Sequence, residues 1–429
     1  MATDSDRKAQ FNEAYRNLNL FPLVEADEIE KFRVAYAGLT LGTLETDILA
    51  STVGDKLIFT GHRGCGKSTL LNELAVSLRQ EGLFVAIFSI ADMVEMSDVN
   101  HINILYSIAL KLLSQATKLR VPIAETTKNS LVNWFTQTKS TTYSQQLKQE
   151  LSAGANFFDF FTGKLQKEGA FREEIKQTYE RRISELSEQI NQISLAIQSA
   201  TQKEVLVIID DLDKLDLAVV KSIFEDNIKA LFSPRIRVIF TIPIAVVREP
   251  RLLAILESQA QIVLLSVTKF FDQIQARQPN PQPIEESVAM LEAVLRKRIA
   301  PELVEPGILQ KVVLLSGGVL RELVRLAQQC CRECLLKLRM NEEVSNITIN
   351  DEILTTAVKK LRNQFARPLG SKLYATLAET YKNFTPPDAK SEEFLELLHG
   401  LYVLEYENDD LWYDLHPLVT DLLKRRDLI

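Results

Sequence analysis

Gly61-His62-Arg63-Gly64-Cys65-Gly66-Lys67-Ser68 fills the eight-position pattern GxxxxGK[ST], and the fold is read outward from it. Glycines in such a loop let the main chain wrap closely around a polyphosphate with its N–H groups turned inward. A short apolar strand, Lys56–Thr60, precedes the loop and a helix, Ser68–Arg79, follows it. The helix adds the positive end of its dipole to the site. Lys67 is placed to reach the β- and γ-phosphates, and Ser68 to put its hydroxyl on Mg²⁺. The predicted nucleotide-binding set is Gly61, His62, Arg63, Gly64, Cys65, Gly66, Lys67, Ser68 and Thr69, with ATP and Mg²⁺ as ligands.

A second element has the same character. Val205–Ile209 is an apolar run that ends in Asp210 and Asp211. A buried strand of a parallel sheet offers its last residues at the carboxyl edge, where ligands of such folds bind. Asp210 is the expected metal partner, through water, and Asp211 is placed to orient or deprotonate an attacking water. Asp213 suits a helix-capping role. Leu83–Ile90, Val238–Ile242 and Ile262–Val267 complete a set of apolar strands separated by helical stretches. That alternation predicts an α/β fold: a P-loop NTPase core with a parallel sheet.

Residues 101–204 read as a helical insertion in that core, interrupted at Gly154–Gly163. Within it Ile183, Leu186, Ile190, Ile193 and Ile197 follow heptad spacing for a little over two repeats. Packing on its own domain is the preferred reading of that seam over self-association. Residues 275–284 (QARQPNPQPI) are polar and proline-rich, the mark of a linker. The predicted organisation is an N-terminal helical segment (1–50), the ATPase core (51–274), a helical lid (285–365) and a winged helix (370–429). The last is read from the order helix, helix, strand Tyr402–Tyr406, turn Asn408-Asp409-Asp410, strand Leu411–Leu415, helix.

Composition sets the class. The chain has 429 residues, 46% apolar and 25% charged, with a net charge of −7, an ordinary globular balance. No apolar run reaches the ~18 residues a membrane helix needs, and the polar start Met1–Arg16 does not read as a signal peptide. A cytoplasmic location and no membrane partner are the expectation. Four cysteines are too few for a disulfide framework. Cys330, Cys331 and Cys334 lack a companion His or Cys pair for zinc and read as buried helix residues.

The order of loop, DD-ending strand, a strand ending in Thr241 and a helical lid resembles the AAA+ superfamily and its STAND relatives. IDDLDK at 209–214 also resembles the corresponding stretch of KAP-type P-loop ATPases. Ser316-Gly317-Gly318-Val319-Leu320-Arg321-Glu322-Leu323 resembles the lid motif of origin-recognition-type ATPases. The resemblance implies that Thr241 senses the γ-phosphate and that Arg321, or Arg325 one turn later, reaches the phosphates from the lid. The implied catalytic set is Asp211, Lys67, Thr241 and Arg321, with Ser68 and Asp210 on the metal. Arg248 and Arg251 match no strict arginine-finger motif. His416, in LHP, stands where STAND switches carry a histidine that touches bound diphosphate; a histidine at a strand end before proline is the alternative.

Two functions follow from the resemblance: a regulatory switch ATPase, whose nucleotide state is read by a protein partner or by self-association, and a DNA-loading ATPase. A small-molecule kinase ranks third, because a lid plus winged helix is surplus to that chemistry. Residues 370–429 carry six Lys/Arg and twelve Asp/Glu, a net of −6. DNA binding depends on neutralising phosphates, so the acidic winged helix favours the switch, with slow ATP hydrolysis.

Overall fold

The computed structural model describes residues 4–123, 157–340, 347–407 and 410–429. They form two compact units, one of Leu39–Thr60 and Leu70–Val263, the other of Met1–Gly38, Gly61–Thr69 and Leu264–Ile429. The loop Gly61–Ser68 therefore belongs to the unit that holds Leu264–Ile429.

A five-stranded parallel sheet organises the fold. Its strands are β1 (Lys56–Gly61), β2 (Phe84–Ser89), β3 (Val205–Asp210), β4 (Arg237–Pro243) and β5 (Gln261–Leu265), in the order β2-β3-β4-β1-β5. β2 and β3 run parallel from Phe84 opposite Val205 to Ser89 opposite Asp210, and β4 continues the sheet from Leu206 opposite Arg237. Asp55 accepts from the Val238 amide, and the Thr60 hydroxyl donates to the Ile242 carbonyl. The two contacts climb in step, so β1 runs along β4 in the same direction. Thr60, Ser89, Asp210 and Thr241 thus stand at one carboxyl edge. Continuous apolar strands are what this architecture requires: every residue of β1, β3 and β4 is buried.

The insertion contributes helices His101–Lys118, Phe157–Lys167, Gly169–Tyr179 and Ile183–Thr201; its remainder, 124–156, lies outside the described residues. Leu186, Ile190, Ile193 and Ile197 are fully buried, and their helix packs on His101–Lys118. The heptad seam is thus an internal packing face. The expected break at Gly154–Gly163 is absent from 157 onward, where helix Phe157–Lys167 runs through Gly163. A mid-helix glycine costs only about 1 kcal/mol, and burial of Phe160, Phe161 and Leu165 outweighs it.

In the other unit, helix Asp4–Asn17 packs on helix Leu320–Arg339, and Gln328 donates to the Leu18 carbonyl at 2.8 Å. Helices Glu285–Arg296, Ile308–Leu315, Leu320–Arg339 and Asp351–Ala366 occupy the stretch expected to be a lid. Cys330, Cys331 and Cys334 are buried there, and burial pushes all three thiols up, Cys334 to about 12, so they are inert. Helices Ser371–Asn383 and Glu392–His399, the antiparallel pair β6 (Val403–Glu407) and β7 (Leu411–Leu415), and helix Pro417–Lys424 follow in winged-helix order. Of the expected turn, Asn408 and Asp409 lie outside the described residues. The N-terminal stretch forms three helices, Asp4–Asn17, Ala26–Phe32 and Gly38–Ala50, with a break at Ala37, whose φ is +52°.

The proline-rich segment 275–284 is not a free tether. Arg277 pairs with both Asp414 carboxylate oxygens, at 2.8 and 2.5 Å, and donates to the Tyr381 carbonyl at 3.0 Å. Its guanidinium lies over the rings of Tyr381 at 3.7 Å and Phe384 at 4.5 Å. A planar, half-desolvated guanidinium between a carboxylate and two rings is a strong anchor. Composition records the prolines but not this anchor.

Replacing Ile193 by Ala should destabilise the insertion by about 2–5 kcal/mol without changing the solution mass, measured by denaturant unfolding and light scattering. A drop in mass in the variant would return the seam to self-association.

Candidate functional site

Lys67 opens helix Lys67–Gln80 and is 4% exposed. A buried ammonium must find oxygen partners. Its Nζ donates to the Gly61 and His62 carbonyls, each at 2.9 Å. The side chain is folded back on its own loop, and two carbonyl oxygens stand where phosphate oxygens are expected. The His62 carbonyl also accepts from the Cys65 thiol at 2.8 Å. These donors and the glycine cradle fit a polyphosphate ligand.

Gly66 shows why the pattern demands glycine. Its φ is +101°, and an added Cβ would lie 1.9 Å from the Tyr36 hydroxyl. That hydroxyl donates to the Gly66 carbonyl at 2.7 Å, and the Arg33 guanidinium covers the Tyr36 ring at 4.5 Å. Thr69 accepts from the Leu23 amide at 3.3 Å. The segment 23–36 therefore closes over the phosphate loop. Arg63 is half-buried on the loop, and Ser68 is the second residue of the helix.

The lid reaches the loop through main chain. The Arg321 amide donates to the Gly64 carbonyl at 2.9 Å, and its side chain packs over Gly64. The turn Gly317-Gly318 sets this approach: at Gly318, with φ +82°, a Cβ would fall 1.9 Å from the Thr268 carbonyl oxygen. Arg321 is thus beside the loop, while Arg325 pairs with Glu322 at 3.0 Å and also bonds Gln364.

The winged helix reaches it too. His62 is buried, and its Nε2 accepts from the Glu405 amide of β6 at 2.8 Å. The Tyr406 hydroxyl donates to the Gly317 carbonyl at 3.3 Å. His416 accepts from the Leu418 amide at 3.2 Å, capping helix Pro417–Lys424, and stacks on Phe365 at 4.9 Å. These contacts are those of a strand-end histidine before proline.

The acidic group lies in the other unit. Asp210, Asp211 and Asp213 bring carboxylate oxygens within 4.8 Å of one another, a donor set of the kind that suits Mg²⁺. Asp211 adopts φ +70°, a conformation aspartate tolerates better than most residues. Its carboxylate accepts from Ser89 at 2.6 Å and pairs with Lys214 at 2.5 Å. Its amide donates to Asp210 Oδ1 at 2.8 Å. Asp213 sits inside the one-turn helix Leu212–Lys214 rather than capping it. Thr241 accepts from the Leu212 amide at 3.1 Å and donates to the Ile209 carbonyl at 3.2 Å, so its hydroxyl braces the turn after β3. Arg251 is exposed and pairs with Glu225 at 2.9 Å.

Sequence reasoning missed Tyr36, Glu405 and Ser89. Only Ser89 carried a signal, as the polar end of an apolar strand. Tyr36 and Glu405 act through a hydroxyl and a main-chain amide at positions no spacing marks.

A family model described as Nephrocystin 3, N-terminal, matches residues 46–162. No curated protein matches the chain. Among solved structures the chain is similar to the Aeropyrum pernix Orc1 protein in complex with DNA, at 12% identity and TM-score 0.41, covering 94% of this chain and 96% of that one. It is also similar to a point variant of Thermotoga maritima RuvB, at 14% identity and TM-score 0.38, with 95% and 99% coverage. Pyrobaculum aerophilum Cdc6p gives 12% identity and TM-score 0.36, with 93% and 98% coverage.

Burial, then the charge of Arg325, pushes His416 down from 6.5 to about 3. Its neutral form is the folded form, so the stability it contributes is complete above pH 6.5 and is lost as pH falls toward 3. The expected slope below pH 6.5 is about 1.4 kcal/mol per unit. His416→Asn keeps a capping acceptor and should remove that slope, read by hydrogen exchange across 403–423 as pH is lowered.

Proposed function

We propose that this chain is an ATP-binding, slowly hydrolysing switch ATPase of the AAA+/STAND kind, in which nucleotide state sets the arrangement of lid and winged helix for a partner to read. One observation carries the reading: the phosphate loop is bonded through its own backbone to the N-terminal segment and the lid, by Tyr36 on Gly66 and by Arg321 on Gly64. A polyphosphate draws on the same loop, so filling it and holding those neighbours are linked equilibria.

In this reading Lys67 leaves the Gly61 and His62 carbonyls for the β- and γ-phosphates. Arg321 adds a second positive charge. Ser68 and Asp210 are the residues that would hold Mg²⁺, which would screen phosphate charge and polarise the scissile group. Asp211 positions the attacking water, and Ser89 and Lys214 orient its carboxylate. The bonds that now engage Thr241 make it a brace for that turn, and a γ-phosphate contact would require it to give one of them up. The chemistry is mostly positioning and electrostatics.

DNA is the second reading. It is favoured by the exposed cluster Lys424, Arg425 and Arg426 at the chain end and opposed by the net −6 of residues 370–429. No helix among the described residues is long and apolar enough to cross a membrane.

Lys67→Ala should weaken binding of a fluorescent ATP analogue about 10–100-fold, the range for losing a charged hydrogen-bonding partner; unchanged affinity removes the loop assignment. Asp211→Asn should keep binding and lose about 10²–10⁴-fold in phosphate release, and equal turnover would remove Asp211 from the mechanism. Solution mass in ATP, in ADP and without nucleotide should change with nucleotide alone; a change that needs duplex DNA would promote the second reading.

A further inference from the structure

β6 and β7 form a two-stranded ribbon in which Glu405 stands opposite Tyr413. One side of β6 is therefore an edge, and an edge amide needs an acceptor. Glu405 is 2% exposed, so water does not serve it. Its N–H is met by Nε2 of His62, which is itself fully buried. An imidazole from the phosphate loop supplies the rung that a third strand would otherwise give.

The same residue meets Lys67. The His62 carbonyl accepts from Lys67 Nζ, and its ring accepts from the winged helix. Both bonds hang on one residue whose φ and ψ move them together. When Lys67 turns toward a polyphosphate, the His62 carbonyl loses its cation, and the residue that carries the ring is held by the Cys65 thiol and amide instead. Gly61 before it, at φ +152°, and Gly64 two residues after it, at φ +82°, flank it with conformations other residues resist. A short loop so hinged moves as a unit.

We propose that His62 is the relay between the phosphate loop and the winged helix. Its ring holds β6 while its carbonyl holds Lys67; a polyphosphate that takes Lys67 loosens the hold on β6. His62 is a positioning residue, because its side chain acts on the wing and not on the nucleotide. The proposal rests on the switch reading above and names the contact through which the switch acts.

The GxxxxGK[ST] pattern leaves position 62 open, so its side chain is available for this use. A phenylalanine there keeps the ring and removes the acceptor. A glutamine keeps an acceptor at about the reach of Nε2. An unmet buried amide costs enough to change a local equilibrium by about fivefold or more, and a state held by such a bond competes with ligand in proportion to its population.

The test is amide hydrogen exchange of the full chain, resolved at the peptide containing Glu405, with Mg²⁺–ATPγS as the probe. In the wild type that amide should be protected without nucleotide and should exchange at least about fivefold faster when saturated. His62→Phe should show the fast exchange without nucleotide and bind a fluorescent ADP more tightly by a similar factor, while His62→Gln should restore protection. Slow exchange in His62→Phe, or wild-type protection untouched by saturating nucleotide, overturns the relay. If His62→Phe does not fold, judged by circular dichroism, the wild-type comparison decides alone. Failure of the wild type to bind nucleotide would instead sink the ATPase reading; in that event the two variants without nucleotide still decide whether His62 holds β6.

Discussion

The constraint on which the C-terminal unit depends is the buried ammonium of Lys67. A cation at 4% exposure has to be met by oxygen, and the loop meets it with its own Gly61 and His62 carbonyls. That choice fixes the peptide planes of residues 61 and 62. It directs the His62 ring toward β6 and leaves the carbonyls of Gly64 and Gly66 for Arg321 and Tyr36. Phosphate oxygens and peptide carbonyls are alternative partners for one ammonium, so under the proposed function a polyphosphate competes with the loop's own carbonyls.

The sheet imposes a different constraint on the other unit. Parallel strands buried on both faces can expose chemistry only at their ends. Ser89, Asp210 and Thr241 are those ends, and adjacent register gathers them: Ser89 stands opposite Asp210, and Thr241 braces the turn that follows it. Three carboxylates within 4.8 Å repel one another. Lys214 and Ser89 compensate Asp211, and the strained left-handed turn keeps it in place.

What was legible in the sequence follows from this division. Strand positions and type could be read because burial on both faces makes the strands mostly apolar and confines polar residues such as Thr60 and Thr241 toward their ends, and the heptad seam because four isoleucines and leucines share one helix face. The loop was legible because glycine is required where Tyr36 approaches. Helix 157–167 was misread because burial of Phe160, Phe161 and Leu165 decides it, not its own propensities. Segment 275–284 reads as a linker from its prolines, yet Arg277 fastens it to Asp414 across 137 positions of sequence. Site residues that act through main chain were invisible. Glu405 donates an amide that any residue but proline would carry.

That last point bears on how such a protein diverges. A contact between the Gly64 carbonyl and the Arg321 amide, or between His62 and the Glu405 amide, asks almost nothing of the side chains at 64, 321 or 405 beyond size and backbone shape. The lid and winged helix can then change surface freely while keeping their hold on the loop. The acidic wing fits this freedom: Glu405 contributes its amide and Glu407 is exposed, so the charge of the module is not fixed by the contact. The contacts instead make demands at position 62, where a side chain supplies the acceptor, and at Gly317 and Gly318, where an added Cβ would clash. A motif that defines the loop by its glycines, lysine and serine therefore passes over the residue that gives the loop its influence on the rest of the unit.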